Sequence, residues 1–406
     1  MKKIIFIVID GLADDCLDSE GRTPVEAANG VVLHHISKLS EPVLIKTLYR
    51  FLPIGSIVAN MGLLGYNPYE YFPFGRSFFE LSAKRDPESL SDSDLILRCN
   101  TISLDKGIIS DFTAGQVDDD LARKFINLIN KKLPRGYHIE HGKNYRNSLV
   151  IKDSILKPDD LICFEPHTRI GEKFKKLLIM HSAKSINSEK TRAIKQLNKI
   201  MLESIKTADN FNKDFGSKIN MIWLWEPSSK ASLYDFGQYY QFKLPFLITG
   251  SDFLNGIAKC AGIPFEINEK YTGESNTDYK GKGQSALKKL REGADFLYVH
   301  INATDEEAHQ RKFDNKKKAI ELTDKYIVKP IFDFIRESND EYVMIIGGDH
   351  YTSSSSGNHL DLPSPMIIYR NKSEKEGRLC DGYSEKSIIA NSETMIYSYN
   401  LIRFVL

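Results

Sequence analysis

Apolar positions fall into two textures along the chain. Three short runs, "IIFIVI" (4–9), "DFLYVHI" (295–301) and "EYVMIIG" (341–347), are apolar at nearly every position. Runs of this length without alternation fit strands covered on both faces, as in parallel sheets. Between the last two, "NKKKAIELTDKYIVKPIFDFI" carries apolar residues near helical period. "SDFLNGIAKCAGIPFEI" (251–267) predicts a helix stopped at Gly262 and then another strand. Strand, helix, strand in that order predicts an α/β fold with a mostly parallel sheet between helices.

The middle of the chain reads differently. "LILRCNTISLDKGIISDF" and "RGYHIEHGKNYRNSLVIKD" look like hairpins, and "INSEKTRAIKQLNKIMLESIKTADNF" (186–211) is a basic helical stretch. Residues 93–240 are therefore expected to form an inserted domain of strands and helices. Residues 1–92 and 241–406 would supply the two halves of one core. No internal repeat or low-complexity segment interrupts this order.

Composition narrows the partners. A length of 406 residues suits two domains. Lys plus Arg is 55 and Asp plus Glu is 54, a net charge of +1, so nothing global points to nucleic acid or an anionic membrane. The opening "MKKIIFIVIDG" has a short apolar run that ends in Asp10 and lacks a small-residue cleavage site, so it reads as a strand rather than a signal peptide. No run reaches the roughly 18 apolar residues of a membrane span. Five scattered cysteines (Cys16, Cys99, Cys163, Cys260, Cys380) show no CxxC spacing, which predicts free thiols and a cytoplasmic location.

The chemistry concentrates late in the chain. Four of the ten histidines lie between 300 and 359, beside "TDEEAH" (Asp305, His309), "GGDH" (Asp349, His350) and "GNH" (His359). Asp-x3-His on one helical turn puts both side chains on one face. Asp10 and Asp349 directly follow predicted strands, and Asp305 lies just beyond another. Parallel sheets gather ligands at the carboxyl ends of their strands, so these three aspartates are expected at one edge. A single aspartate after a strand is ordinarily a turn or a helix cap. Three carboxylates and three imidazoles at one place would repel and desolvate badly without cations. Two divalent ions remove that conflict, with zinc or manganese better suited than magnesium to mixed Asp/His ligation. His300 could also point inward but fits strand packing better. Ser56, in "GSIVANMGLL", reads either as an N-cap or as a nucleophile, and the local sequence leaves both open.

Taken with "VIDGLAD", "TPVEAANG", "GSIVANMGLLGYNP", "FGRSFFE", "LRCNTIS", "NYRNSLV", "MIWLW", "TGESNTDYKGK", "VHINATDEEAH" and "GGDHYT", the chain resembles the alkaline phosphatase superfamily. Within it the chain is similar to the archaeal-type cofactor-independent phosphoglycerate mutases. The resemblance implies an alkaline-phosphatase-like core with an inserted cap. It implies one metal on Asp10, Ser56, Asp349 and His350 and another on Asp305, His309 and His359, the ions being manganese, zinc or magnesium. It makes Ser56 the nucleophile, carried as phosphoserine during turnover. It offers Arg76, Arg98 and Arg146 of the cap, with Lys282, Asn60 and His167, as contacts to a small phosphorylated carboxylate substrate.

The chain also departs from that pattern. Ile57 replaces an acidic residue after the serine, and Ala308 a glycine before His309. Asn147 and Thr168 alter "YRH" and "PHD", and "EPSSKAS" replaces a Gly-rich turn after "IWLW". No metal ligand is touched, while the substrate side is altered. The leading expectation is interconversion of 3- and 2-phosphoglycerate. The alternatives are a phosphotransferase, phosphatase or phosphonate-related enzyme acting on another small anion, and a binding protein without catalysis.

Overall fold

The computed structural model describes residues 2–29, 31–182, 187–373 and 382–406; Cys380 lies outside them. The chain divides into two compact units, Met1–Phe72 with Leu233–Leu406, and Pro73–Ser232.

The first unit is built on a seven-stranded sheet. Its strands are β1 (Lys3–Ile9), β2 (Glu41–Lys46), β3 (Pro245–Ile248), β4 (Phe296–Ile301), β5 (Tyr342–Gly347), β6 (Ser364–Arg370) and β7 (Met395–Tyr397), in the order β3-β4-β1-β5-β6-β2-β7. Only β6 runs against its neighbours. Every residue of β4 and β5 is buried, which explains their unbroken apolar runs.

The helices that matter for the site are α1 (Ser56–Leu63), α2 (Asp252–Cys260), α3 (Tyr279–Arg291), α4 (Ala303–His309), α5 (Phe313–Thr323) and α6 (Lys329–Glu337). On one face of the sheet Ile5, Ile7 and Ile9 join Leu290, Ile320, Ile331 and Ile335 from α3, α5 and α6 in a single core. On the other face Phe6, Phe296 and Tyr298 pack with Phe236 and Phe242. The helix expected over 315–335 forms with a π-turn at Asp324–Val328. Asp324 there accepts from the Val32 and Leu33 N–H groups, both at 2.8 Å.

One expected strand is not made. α2 stops where Gly262 takes φ 69°, but only an isolated bridge, Leu247 to Phe265, follows it. Pro264 has no N–H to extend a ladder and Ile267 is exposed, so pairing ends after one residue.

In the second unit, strands Leu95–Asp105, Ile108–Asp111, Tyr137–Lys143, Arg146–Ile151 and Met221–Ser228 form an antiparallel sheet, as the two predicted hairpins require. Helices Asp119–Asn130 and Ser188–Phe215 lay Phe125, Ile126, Leu197, Met201 and Phe211 into its core.

The unit opens at Pro73 rather than at 93. The helix Ser77–Lys84 is stitched to the strand Met221–Ser228, with Ser77 donating to the Glu226 carbonyl and Phe78 N–H to Ser228 Oγ at 2.8 Å. It closes at Ser232 rather than 240, because Phe236 and Tyr240 pack with Phe242. Among the described residues Cys16, Cys99, Cys163 and Cys260 form no disulfide, and no helix is long and apolar enough to cross a membrane.

Candidate active site and metal centre

β1 ends at Ile9 and delivers Asp10, and β5 ends at Gly347 and delivers Asp349 and His350. α4 follows β4 and carries Asp305 and His309 on successive turns. The Ser56–Leu63 segment forms α1, but Ser56 is not its N-cap: Gly55 occupies that place and Ser56 is the first helical residue. The Ser56 hydroxyl is therefore not used to cap the helix. Its Oγ lies 3.3 Å from each Asp10 carboxylate oxygen and 3.1 Å from His350 Nε2.

A buried lattice of hydrogen bonds fixes these groups. Asp349 Oδ1 accepts from the Gly11 and His350 N–H groups, both at 3.1 Å, and Oδ2 accepts from Asn60 Nδ2 at 2.7 Å. Asn60 also donates to the Ser56 carbonyl at 2.7 Å and accepts from Tyr298 Oη at 2.6 Å. Both amide hydrogens of Asn60 and its carbonyl are engaged within the protein, and the side chain holds Asp349 in place. Asn302 donates to Asp10 Oδ2 at 3.1 Å, and Thr304 donates to the Asp10 carbonyl.

Thr352 joins the two halves of the cluster. Its hydroxyl donates to Asp305 Oδ1 at 2.6 Å and so is left to accept from His350 Nδ1–H at 3.1 Å. That choice of tautomer bares His350 Nε2 toward Ser56 and Asp10. Neither Thr352 nor Asn302 was singled out from sequence; their positions just beyond β5 and β4 were the only signal.

Asp305, His309 and His359 form the second group. His309 Nδ1 faces the Gly357 carbonyl at 2.8 Å and His359 Nδ1 the Ile54 carbonyl at 3.3 Å. Carbonyls only accept, so both imidazoles carry hydrogen on Nδ1 and turn Nε2 inward. The two Nε2 atoms lie 3.1 Å apart, with Asp305 Oδ2 3.1 Å from His309 Nε2 and Oδ1 3.6 Å from His359 Nε2. Lone pairs converging in this way fit a cation, with each histidine's outer nitrogen held by the backbone.

The electrostatics of the protein alone tell the same story. Burial, together with the Asp349 and Asp305 charges, pushes the Asp10 carboxyl well above its ordinary range. Burial would raise Asp305 as well, but hydrogen bonds with His309 and His359 outweigh it and hold Asp305 well below that range. The bond to Asp305 lifts His309 to about 9, so a proton and a cation compete for that nitrogen. Burial depresses His350, and carries His300 down to about 4. The ligand atoms of Asp10, Asp305 and His350 lie within 4.8 Å of one another, as do those of Asp10, His300 and Asp349. His300, assigned to packing from sequence, thus reaches the cluster.

Relatives with the same build are known. A family model described as 2,3-bisphosphoglycerate-independent phosphoglycerate mutase matches residues 40–212. A protein of that name from Methanothermobacter thermautotrophicus is 31% identical over 373 residues, 90% of this chain and 88% of its own. The chain belongs to the 2,3-bisphosphoglycerate-independent phosphoglycerate mutase family. A Methanosarcina barkeri mutase of the same description is 29% identical over 406 residues, 98% of both chains. The fold matches a Pyrococcus horikoshii protein with a TM-score of 0.75 at 21% identity, over 99% of this chain and 96% of that one. It also matches the Thermoplasma acidophilum cofactor-independent phosphoglycerate mutase with a TM-score of 0.64 at 22% identity, over 100% and 98%.

In the second unit, two of the three candidate arginines are already paired with carboxylates. Arg76 Nε contacts both Glu226 carboxylate oxygens, at 3.2 and 3.1 Å. Arg98 is buried, pairs with Glu80 at 3.1 Å and Glu226 at 3.3 Å, and lies over the Trp225 ring at 4.4 Å. Glu226 opens the "EPSSKAS" stretch at φ 46°, a left-handed conformation that glycine adopts at no steric cost. Arg146 is exposed and lies over Tyr145. His167 pairs with Glu165 at 3.3 Å and packs edge-on against Trp225. Lys282 belongs to the first unit, fully buried, with Nζ 3.3 Å from the His300 carbonyl and burial lowering its pKa to about 8. In this arrangement it braces β4.

Proposed function

We propose that this chain is a two-cation phosphomutase that interconverts 3- and 2-phosphoglycerate through a phosphoserine at Ser56. The observation that carries the reading is the position of Ser56 Oγ, against Asp10 and His350 at the opening turn of α1. Asp10, Ser56, Asp349 and His350 would hold one divalent ion, and Asp305, His309 and His359 the other. Bound there, the ions would favour the ionised serine and offset charge on the phosphoryl oxygens.

The residues have separable tasks. Ser56 Oγ attacks phosphorus in line, the bond from phosphorus to the substrate oxygen breaks, and that oxygen takes up a proton. The same phosphoryl group then returns from Ser56 to the neighbouring hydroxyl, releasing the serine. Asn60 ties the Ser56 carbonyl to Asp349, so the nucleophile and its carboxylate neighbour keep one geometry. Arg76, Arg98, Arg146 and His167 are the proposed contacts to the substrate's phosphate and carboxylate.

A second reading has its own support. Arg76 and Arg98 already share Glu226, which leaves them less positive charge for a phosphate or a carboxylate. A phosphotransferase or phosphatase acting on another small anion fits that pairing. Protein loaded in turn with manganese, cobalt, zinc and magnesium is incubated with 3-phosphoglycerate, and appearance of 2-phosphoglycerate is followed. Product is expected with at least one metal, and none in Ser56→Ala. Absence of product with all four would discard the mutase reading. Hydrolysis of a generic phosphate ester that disappears in Ser56→Ala would then establish the second.

A further inference from the structure

Two fully enclosed atoms beside Asp10, His300 Nε2 and Asn302 Oδ1, make no bond of full hydrogen-bond geometry, although burial lowers the His300 pKa against a weak opposing contact from the Asn302 side chain. His300 itself is 0% exposed. A buried imidazole nitrogen without a partner is costly and calls for an explanation. The sheet supplies the direction. Val8 of β1 is paired with His300 of β4 and with Gly347 of β5. Asp10 directly follows β1 and Asp349 lies two residues beyond Gly347, so the carboxyl ends of these paired strands bring the three side chains together. His300 Nε2 lies 3.4 Å from Asp10 Oδ2 without making a hydrogen bond, and the ligand atoms of Asp10, His300 and Asp349 fall within 4.8 Å.

We propose that His300 is a direct ligand of the cation held by Asp10 and Asp349, an assignment that rests on the two-cation reading and extends its ligand set. His350 lies against Asp10 Oδ1 at 3.4 Å, and His300 against Oδ2. The donor set becomes two imidazoles, two carboxylates and the Ser56 hydroxyl. A second nitrogen donor moves the preference of this position from magnesium toward zinc, cobalt or manganese. The outer nitrogen is provided for as well. Thr249 Oγ1, which accepts the Ser251 N–H at 3.1 Å, lies 3.4 Å from His300 Nδ1, in place to receive its hydrogen and leave Nε2 bare. Lys282, bonded to the His300 carbonyl, secures the strand end.

Crystals of the wild-type protein soaked in zinc test this by anomalous scattering. An ion on Asp10 and Asp349 with His300 Nε2 about 2.0–2.1 Å away is expected. An ion there with His300 Nε2 outside bonding distance overturns the inference and leaves the two-cation reading standing, whereas no ion on Asp10 and Asp349 overturns both. In solution, chelator competition on His300→Ala should show one of two zinc affinities about 10–100-fold weaker and the other unchanged. The metal-free melting temperature of the same variant reports packing separately. Zinc affinities equal to wild type at both positions, in a variant that folds, would also overturn the assignment. If His300→Ala does not fold, the crystallographic result decides.

Discussion

Thr352 shows how much one hydroxyl can organise. It donates to Asp305 and accepts from His350, one carboxylate and one imidazole from the two candidate ligand groups. Valine has the same shape without the hydrogen bonds, so Thr352→Val isolates them. The variant should fold and should bind divalent metal about 10–100-fold more weakly, measured by calorimetric titration. Unchanged affinity would mean that Thr352 only fills space. Lys316, 0% exposed, supports the same corner, donating to Asp14 Oδ2 at 2.7 Å and to the Thr352 carbonyl at 2.9 Å. Removing that ammonium would strand a buried carboxylate, so Lys316→Met should lower stability by about 3–5 kcal/mol in denaturant unfolding.

α3 illustrates a constraint that belongs to packing rather than to helix propensity. Gly283 lies in its second turn, where an added Cβ would run into the Tyr326 carbonyl of the π-turn. That turn widens the path between α5 and α6 and lets α3 approach backbone to backbone. Alanine is ordinarily the better helix former by about 0.8–1.0 kcal/mol. Here the close approach should reverse the sign, with Gly283→Ala destabilising by about 1–3 kcal/mol. A melting temperature equal to or above wild type would refute the close approach.

The dependence of stability on pH should carry a signature of Glu385. Its carboxylate accepts from Asp14 N–H and Thr23 Oγ, yet burial raises its pKa to about 7 from an ordinary 4.5. The folded state therefore holds a proton that the unfolded chain has released between those values. This group's contribution to stability is fully present below about 4.5 and is lost as pH rises to about 7, then stays level. Glu385→Gln cannot ionise, so its melting temperature relative to wild type should climb from pH 5 to pH 7.5. A constant difference across that range would exclude Glu385 as the source. A chelator that removes cations from the cluster would leave the charges of Asp10, Asp349 and Asp305 uncompensated, so it should lower the melting temperature, and added zinc or manganese should restore it.

The ends of three apolar runs placed Asp10, Asp305 and Asp349 from the sequence alone, and the spacing Asp305–His309 and the pair Asp349–His350 followed from helix and strand geometry. That much is local: a buried strand has to be apolar, and polar residues return in the few positions past its end. Which face a residue takes within a strand buried on both sides is not local. β4 is buried throughout, so no alternation distinguished His300 from Val299, and only the register of β1 with β4 and β5 turned it toward Asp10. The same holds for Ser56, whose hydroxyl could have capped a helix until the fold brought Asp10 and His350 beside it. The start of the second unit at Pro73 likewise depended on a helix finding a strand some 150 positions away. Sequence determined the chemistry available and its order; long-range pairing decided which atoms meet, because contact across a sheet is set by register rather than by neighbours in the chain.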